Sequence, residues 1–394
     1  MTSQNKFYPE ECLLPETATQ QHLIIGIPRE DAALETRLAL TPEGVSIVVE
    51  EGHTVLVERG AGESMNYSDL QYSEAGATIV DSSEEVFAAN ILLKIAPPTF
   101  AEISLMKAHT TLLSMLQIST LSAESIRLMM KKKITAVAYE LLKDEQKNFP
   151  VVSSISEIEG ISAISVAMEL MSNERGGKGL LLGGVPGVPP SEVVILGAGI
   201  SGIVAARTAL ALGATVKIFD HDIAKLRQIH SRLGQHVFTS VIHPVVLIRA
   251  LSTADAVIAN LRYINDSERF MVSEELVKKM KRGAVIVDLS VDQGGCFETS
   301  ECRTLKNPVF EQFDITHYCV PNISARVART SSMVLSNIFA PLLLKIANAG
   351  GIDSTINEDY GFRNGVYLYE GILVNYLVGT HYKLPANDLG LLLV

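Results

Sequence analysis

The chain has 394 residues, of which 47% are hydrophobic and 20% charged, so it can form two or three domains with large cores. Its 33 Lys and Arg against 44 Asp and Glu give a formal charge of −11, which disfavours nucleic acid and anionic membranes as partners, because both require a basic surface. Apolar runs are short and interrupted, and the N-terminal segment has no apolar core, so we expect neither a membrane span nor a signal peptide. The four cysteines have no CxxC spacing, which is typical of a reduced, cytoplasmic compartment, and the histidines show no spacing for a metal.

Short strand-like runs alternate with helical segments along the first part of the chain. Strands are predicted at Leu23–Pro28, His53–Glu58, Thr78–Val80 and Ile91–Ile95, and a helix follows later at Ser122–Lys132. Strands and helices alternating at this spacing indicate a parallel α/β sheet.

Two long helical segments divide the chain. The first is predicted at Ile155–Ser172, before a Gly- and Pro-rich segment and a second strand–helix series, and the other at Ala325–Ala347. We therefore predict an α/β fold with two Rossmann-like lobes, each with a parallel sheet, joined by long helices with a cleft between them. The predicted lobes are residues 1–153 plus 326–394, which are discontinuous in the chain, and residues 154–325.

A glycine-rich turn follows the first strand of the second series. The strand Val193–Leu196 leads into Gly197-Ala-Gly199-Ile-Ser-Gly202, then a helix, and then a second strand that ends at Asp220. In dinucleotide-binding turns these glycines permit the tight turn, the approach of backbone to a pyrophosphate and close packing of helix on strand. Asp220 is placed to accept hydrogen bonds from a ribose and to repel a 2′-phosphate, which favours NAD over NADP.

The predicted cofactor is therefore NAD, and residues 154–325 are the predicted NAD-binding domain. FAD is the other dinucleotide that uses such a turn, usually near the N-terminus. The contacts predicted from this motif are Gly197, Gly199, Ile200, Ser201, Gly202, Asp220 and Lys225. For Lys225, a solvated helix face is the competing interpretation.

Several sequence motifs resemble those of the alanine dehydrogenase family and occur in the same order as in that family, which includes the NAD-binding part of proton-translocating transhydrogenases. They are GIPRE…ETRLALTPEGV, ILLKIAPP, AVAYELL, GGKGLLLGGVPGVPPSEVVILGAG, VIVDLSVDQGGCFETS and HYCVPN…ARTSS. The resemblance runs from about Leu23 to about Gly371. It implies reversible, NAD-dependent oxidative deamination of L-alanine to pyruvate and ammonia, and a homo-oligomer, commonly a hexamer.

The resemblance also implies roles for individual residues. Arg37 matches the arginine that holds the substrate carboxylate, and Lys94 the lysine that contacts the substrate carboxylate and carbonyl. Asp292 matches the aspartate near the nicotinamide and the substrate amine. Ser156 and Asn322 match residues that contact the cofactor or border the nicotinamide, although serine and asparagine are also common at helix starts and in loops.

Three departures from the family stand out. The acid/base histidine of the family is replaced by Gln117, which cannot transfer a proton near neutral pH, although we keep it with Arg37, Lys94 and Asp292 as the predicted catalytic set. The segment 259–270 is bulkier and more charged than the family's loop, and the usual proline two residues after Asn322 is missing. A proton could instead move through Lys94, Asp292 or water.

Two other functions remain open on these grounds. One is a related NAD-dependent reductive aminase, of the opine or saccharopine type, acting on another 2-oxo acid or amine. The other is a non-catalytic NAD-binding homologue that has lost proton transfer. Gln117 favours these alternatives, whereas Arg37, Lys94 and Asp292 favour an enzyme, because a binding module does not need a carboxylate clamp.

Overall fold

The computed structural model describes residues 20–118, 120–261 and 271–393, which form two sheets flanked by helices. The strands are β1 Ile24–Ile27, β2 Thr54–Glu58, β3 Thr78–Val80, β4 Ile91–Leu93, β5 Thr111–Ser114, β6 Thr135–Ala138, β7 Glu192–Leu196, β8 Thr215–Asp220, β9 Phe238–Val241, β10 Ala256–Ala259, β11 Val285–Asp288, β12 Val309–Gln312, β13 Ile315–Tyr318, β14 Val366–Tyr369 and β15 Ile372–Leu373.

The helices are α1 Pro42–Glu50, α2 Asp69–Glu74, α3 Ser83–Val86, α4 Phe100–Leu105, α5 Ala123–Lys131, α6 Pro150–Met171, α7 Ile200–Ala211, α8 Ile223–Leu233, α9 Pro244–Thr253, α10 Glu274–Val277, α11 Ala328–Asn348, α12 Ile352–Glu358, α13 Tyr360–Arg363 and α14 Tyr376–Tyr382. Several of these helices begin with ordinary capping features. For example, Thr41 precedes Pro42 at the first position of α1, and the side chain of Ser122 accepts a hydrogen bond from a backbone N–H of α5.

The first sheet has the strand order β15-β14-β6-β5-β4-β1-β2-β3. Strands β1 to β6 are parallel, β14 adds to the β6 edge as an antiparallel strand, and β15 pairs antiparallel with β14. Because the chain winds outward in both directions from β1 and β4, the crevice between their carboxyl ends is the place where such folds bind ligands.

The second sheet has the order β12-β13-β11-β10-β7-β8-β9. It repeats the winding of the first sheet, since β7 and β10 are the central pair and β12 alone is antiparallel. Its central strands β7, β10 and β11 are almost wholly buried and mainly apolar, as expected for strands covered on both faces. These two mostly parallel sheets confirm the predicted α/β fold class.

The two long helices lie between the sheets in the chain. Helix α6 packs along α7 so closely that a Cβ at Gly160 would lie 2.5 Å from the carbonyl oxygen of Ser201. Helix α11 follows a 3-10 turn at Ile323–Val327 and contains Pro341. The predicted domain limits therefore fall inside α6 and inside this turn, and the division into domains stays a prediction.

Two of the long helices have the length and composition of a membrane span, but they are partly buried in the protein. By length and composition alone, Pro150–Met171 and Ile323–Asn348 are apolar enough to cross a membrane, with a mean hydropathy of 1.4 over 18 residues. Half of each such window is buried inside the protein, as in a core helix. Helix α6 also begins earlier than predicted, because Pro150 is favourable at the first helical position.

Candidate active site

The switch point of the first sheet carries a buried ion pair. Glu30 follows β1 and Lys94 follows β4, and each side chain is 4% exposed. The Lys94 ammonium contacts the Glu30 carboxylate and lies 3.3 Å from Glu102 Oε1. Burial lowers the pKa of Lys94, but these two carboxylates outweigh burial and raise it, so Lys94 is a cation at neutral pH.

A second buried pair lies on the loop after β1. Arg37, 5% exposed, donates from Nε and Nη2 to the two carboxylate oxygens of Glu35 at 2.8 and 2.6 Å. Its Nη1 donates to Ser324 Oγ at 2.9 Å. Burial opposes the charge on Arg37, but the carboxylate of Glu35 outweighs it and raises the pKa of the guanidinium. An arginine has five N–H donors, so one on each terminal nitrogen remains for a substrate.

The two ion pairs belong to one cluster. Burial raises the pKa of Glu30 despite the Lys94 ammonium, and the nearby Glu35 carboxylate adds to this rise. Tyr139, after β6, is also within electrostatic range of Arg37, Glu35 and Glu30, and its hydroxyl donates to the carbonyl of Ile95 at 2.9 Å. The structure thus brings together the predicted Arg37 and Lys94.

Serines of α11 hold the Arg37 loop in place. The backbone N–H groups of Leu38 and Thr41 donate to Ser332 Oγ at 2.9 Å and Ser336 Oγ at 3.1 Å. On the same loop, Thr36 Oγ1 donates to the carbonyl of Ala325 at 2.6 Å. These bonds tie the loop of the first sheet to the segment that leaves the second sheet, so the orientation of Arg37 is fixed from both sides.

Asn322 borders this cluster, and Gln117 follows β5, the strand beside β4. Asn322 Nδ2 donates to the carbonyl of Leu34 at 2.7 Å, and its side chain is also hydrogen-bonded to Glu35. Gln117 follows β5 and is half-buried, with Met115 Sδ at 3.9 Å from its Nε2 and with Thr120 Oγ1 donating to its carbonyl at 2.7 Å. Gln117 therefore lies at the carboxyl edge of the sheet where the sequence places it.

The switch point of the second sheet opens into a cavity of about 170 Å³. Its lining is Val152, Ser156, Gly199, Ile200, Asp220, His221, Lys225, Asn260 and Leu261. Five predicted cofactor residues, Ser156, Gly199, Ile200, Asp220 and Lys225, are thus brought together. The other four, Gly197, Ser201, Gly202 and Asn322, are outside this lining, and the Ser201 hydroxyl donates to Glu159 at 3.0 Å.

The glycines of the turn do what the motif requires. Gly197 has φ +114°, a conformation that side chains rarely adopt, and a Cβ there would lie 2.7 Å from the carbonyl carbon of Asn260. A Cβ at Gly202 would overlap the carbonyl oxygen of Gly197, so the helix lies directly on the turn. Around Gly199, by contrast, a Cβ would have space, with Asn260 Nδ2 at 4.0 Å, so the backbone is open to an approaching group.

Asp220 is buried and already accepts two backbone hydrogen bonds. Its oxygens accept from the N–H of Ala198 at 2.7 Å and of Asp222 at 2.8 Å, and His221 Nδ1 is 3.6 Å from its Oδ1. A carboxylate oxygen has two lone pairs, so each can still accept from a ribose hydroxyl. The amides fix the carboxylate at the rim of the cavity.

Asp292 lies in a 3-10 turn, Val291–Gln293, directly after β11. It is half-buried at the carboxyl edge of the second sheet, in agreement with the place predicted for it. The predicted departure at 259–270 lies mostly outside the described residues, since the description stops at Leu261 and resumes at residue 271.

Sequence reasoning missed several residues of the two crevices. Glu30, in GIPRE, and Glu35, in ETR, neutralise the predicted cations Lys94 and Arg37. The sequence signal that could have identified them is the alternation of acidic and basic residues in motifs expected to hold a buried cation. Asn260 and His221 line the cavity, and each directly follows a strand end. A polar residue just after a parallel strand is a general sign of such a site.

Two family models match successive parts of the chain. The model described as alanine dehydrogenase/PNT, N-terminal domain, matches residues 26–159, and the one described as alanine dehydrogenase/PNT, C-terminal domain, matches residues 163–376. The chain belongs to the alanine dehydrogenase/PNT family. The family predicted from the sequence motifs is thereby confirmed.

Individual members of the alanine dehydrogenase/PNT family match over nearly the whole length. The alanine dehydrogenase of Methanococcus maripaludis is 36% identical over 365 residues, 92% of this chain and 97% of the relative. That of Mycolicibacterium smegmatis is 35% identical over 367 residues, 93% of this chain and 98% of the relative. A solved structure of an L-alanine dehydrogenase superposes with a TM-score of 0.85 at 33% identity, covering 92% of this chain and 99% of that one.

Proposed function

We propose that this enzyme catalyses the reversible, NAD-dependent oxidative deamination of L-alanine to pyruvate and ammonia. The observation that carries the proposal is the buried cation cluster, in which Arg37 and Lys94 are held at the switch point of the first sheet by Glu35 and Glu30. Relatives of matching length bear the name alanine dehydrogenase, which supports the same activity. Because burying a cation costs free energy, buried cations such as these are typical of a site that binds a small anion.

The chain offers a fitting place for NAD at the switch point of the second sheet. Among the residues that the structure describes, Asn260 Oδ1 is buried there without a hydrogen-bond partner, and the Gly199 backbone faces open space beside the start of α7. A helix N-terminus and an open glycine suit a pyrophosphate, and Asp220 suits a ribose. Ser156, Ile200 and Lys225 would add contacts from the walls of the cavity.

The chain's own residues orient the substrate and stabilise its charge. The remaining N–H groups of Arg37 donate to the substrate carboxylate as a fork, while Lys94 donates to the carbonyl or carbinol oxygen. NAD, when bound, would supply the hydride acceptor for this oxidation. By the family resemblance, Asp292, at the edge of the second sheet, would lie on the amine side of the substrate.

The remaining parts of the proposal follow the family resemblance. The substrate domain comprises residues 1–153 plus 326–394, and the NAD-binding domain comprises residues 154–325. The enzyme is a cytoplasmic homo-oligomer, a hexamer by resemblance. Analytical ultracentrifugation tests the oligomeric state directly.

The decisive experiment is a pair of absorbance assays, one for NAD reduction with L-alanine and one for NADH oxidation with pyruvate and ammonium. The test variant is Arg37→Lys, because lysine keeps a cation beside Glu35 but loses the fork, and we expect kcat/KM to fall about 100-fold. Arg282→Lys is the matched control, since the Arg282 side chain is 85% exposed. NADH binding is measured separately by fluorescence.

Each result has a defined meaning. Turnover that Arg37→Lys reduces and Arg282→Lys leaves unchanged supports the proposal. Turnover with a bulkier 2-oxo acid or amine, but not with alanine or pyruvate, replaces it with a related reductive aminase. Saturable NADH binding without turnover of any such substrate contradicts it in favour of a non-catalytic homologue.

A further inference from the structure

Glu140 lies at the carboxyl edge of the first sheet, beside the position where the family's histidine is missing. It follows β6, which is paired in register with β5 through Ser114 and Ala138. Its Oε1 accepts the backbone N–H of Leu116 at 3.0 Å, and Leu116 directly precedes Gln117. The carboxylate of Glu140 is therefore bonded to the very loop that carries the substituted residue.

The other oxygen of this carboxylate is unused by the described residues. Oε2 is shielded from solvent, and none of the residues in the described part of the chain hydrogen-bonds to it. Burial raises the pKa of Glu140 to about 7, although hydrogen bonds from two backbone amides act to lower it. The titratable groups that face it are the phenols of Tyr139, on the same turn, and Tyr367, on β14, and both phenols are neutral at this pH because their own pKa values are raised.

The neighbouring candidates for proton transfer are less suited. Lys94 is held as a cation by two carboxylates, so it cannot accept a proton near neutral pH. Gln117 cannot take up or release a proton. His109 precedes β5, at the opposite edge of the sheet, where it is exposed and paired with Glu370 at 2.6 Å.

We propose that Glu140 is the proton acceptor and donor of this enzyme, replacing the residue lost at position 117. The inference rests on the proposed alanine dehydrogenase function and specifies how that function survives the Gln117 substitution. A carboxylate with one anchored and one unpartnered oxygen is suited to exchange a proton with a water or a substrate atom.

The proton steps balance as follows in the deamination direction. The alanine ammonium first gives up one proton, which the Glu140 carboxylate takes and releases to solvent. Loss of hydride from the Cα of the neutral amine, which bound NAD would accept, leaves an iminium, and a water oxygen bonds to its carbon while the Glu140 carboxylate takes a proton from that water. The carboxyl group then returns the proton to the amine nitrogen of the carbinolamine. As the carbon–nitrogen bond breaks, the carbon–oxygen double bond forms, ammonia leaves, and the hydroxyl proton passes to Glu140, which releases it to solvent.

The kinetic test uses Glu140→Gln, which removes the titration but keeps an oxygen for the Leu116 N–H. We expect kcat to fall about 10²- to 10⁴-fold, with the KM for pyruvate changed less than threefold, because general acid–base catalysis contributes about this factor. The pH profile of kcat should lose its inflection near neutrality. Glu145→Gln, on the exposed part of the next loop, is the matched control.

Rescue at the neighbouring position distinguishes proton transfer from a structural effect. In Glu140→Gln combined with Gln117→His, an imidazole on the adjoining loop supplies a group that titrates near neutrality. We expect the double variant to recover at least tenfold in kcat over Glu140→Gln. A merely structural role for Glu140 would not allow this recovery.

A readout without substrate or cofactor tests the titration itself. The infrared carbonyl band of a protonated carboxyl should be present in the full-length protein at pH 5.5, disappear as pH rises through about 7, and be missing from the Glu140→Gln difference spectrum. Thermal unfolding should show the corresponding dependence of stability on pH. Since the folded pKa is raised, Glu140 costs stability above it, so Glu140→Gln should be more stable than the parent at pH 8.5 but not at pH 4.5.

The outcomes separate this inference from the proposed function. A parent that turns over alanine, with a Glu140→Gln variant of unchanged kcat and pH profile, overturns the role of Glu140 and leaves the function intact. A parent without turnover overturns the function, and then the infrared titration alone decides whether Glu140 exchanges a proton near neutrality. A Glu140 carboxyl that stays ionised down to pH 5 also overturns the inference.

Discussion

The second and third glycines of the dinucleotide turn have different surroundings, and this difference separates cofactor binding from folding. A Cβ at Gly202 would overlap the Gly197 carbonyl oxygen and lie 3.1 Å from its carbon, whereas a Cβ at Gly199 would meet only Asn260 Nδ2 at 4.0 Å. Gly199 has φ −74°, which any residue can adopt. We therefore expect Gly202→Ala to reduce stability and Gly199→Ala to reduce NAD affinity.

The magnitudes follow from the two contacts. At Gly202 the obstacle is backbone, which cannot rotate away, and such overpacking costs about 1–3 kcal/mol. For a domain of the size of the proposed NAD-binding domain, a loss of 1 kcal/mol lowers Tm by about 2–4 °C, so Tm should fall by about 2–12 °C. At Gly199 the methyl would displace the pyrophosphate from the backbone. Losing one charge-assisted hydrogen bond costs about 1.5–3 kcal/mol, which raises Kd by about 10- to 150-fold.

Differential scanning calorimetry without cofactor gives Tm, and titration of NADH fluorescence gives Kd. Each variant serves as the control for the other, since both add one methyl group to the same turn. Gly199→Ala should unfold within about 1 °C of the parent. If it lowers Tm as much as Gly202→Ala does, or if its Kd for NADH equals that of the parent, the assignment of these two glycines is wrong.

Three further predictions concern single side chains. Asp220→Asn should weaken NAD binding and reduce the preference over NADP at least tenfold, because the negative charge that repels a 2′-phosphate is gone; kcat/KM with each cofactor measures it. Ser324→Ala should raise the KM for pyruvate by up to about tenfold with little change in kcat, since Arg37 loses one acceptor; equal KM values would exclude this role. The pKa of Asp359 is lowered because the Lys345 side chain and two backbone amides outweigh burial, so its stabilisation exists above its unfolded pKa and is lost as pH falls through the folded value. Asp359→Asn should therefore show a shallower loss of stability than the parent between about pH 4 and pH 2 in urea unfolding.

The elements that local patterns determine could be predicted from the sequence. The turn from Gly197 to Gly202 and the strand ending at Asp220 depend on neighbouring residues, and the structure has them at the predicted place. For the first sheet, the sequence predicts parallel strands but not their order, because the alternation of strands and helices does not indicate which strands are adjacent. The addition of β14 and β15 to that sheet depends on a pairing between distant residues, so no local pattern indicated it.

The same distinction explains the site. Arg37 and Lys94 were predictable from the family motifs, but their partners Glu35 and Glu30 are recognised through contacts that only the folded loops create. Glu140 is the clearest case. Its environment results from the register of β6 beside β5 and from burial, and both are properties of the sheet rather than of the phrase around residue 140.

Strand β14 belongs to the first sheet but comes near the end of the chain, so this sheet can be completed only late in synthesis. Strand β6 has an open edge until Val366 and Leu368 pair with Val137 and Ala136, and the whole second sheet is translated in between. An apolar strand with an unpaired edge is a template for association with another chain. Nascent chains of this enzyme should therefore depend on chaperones until residue 369 has left the ribosome, and a chain truncated before Val366 should aggregate even though its second lobe is intact.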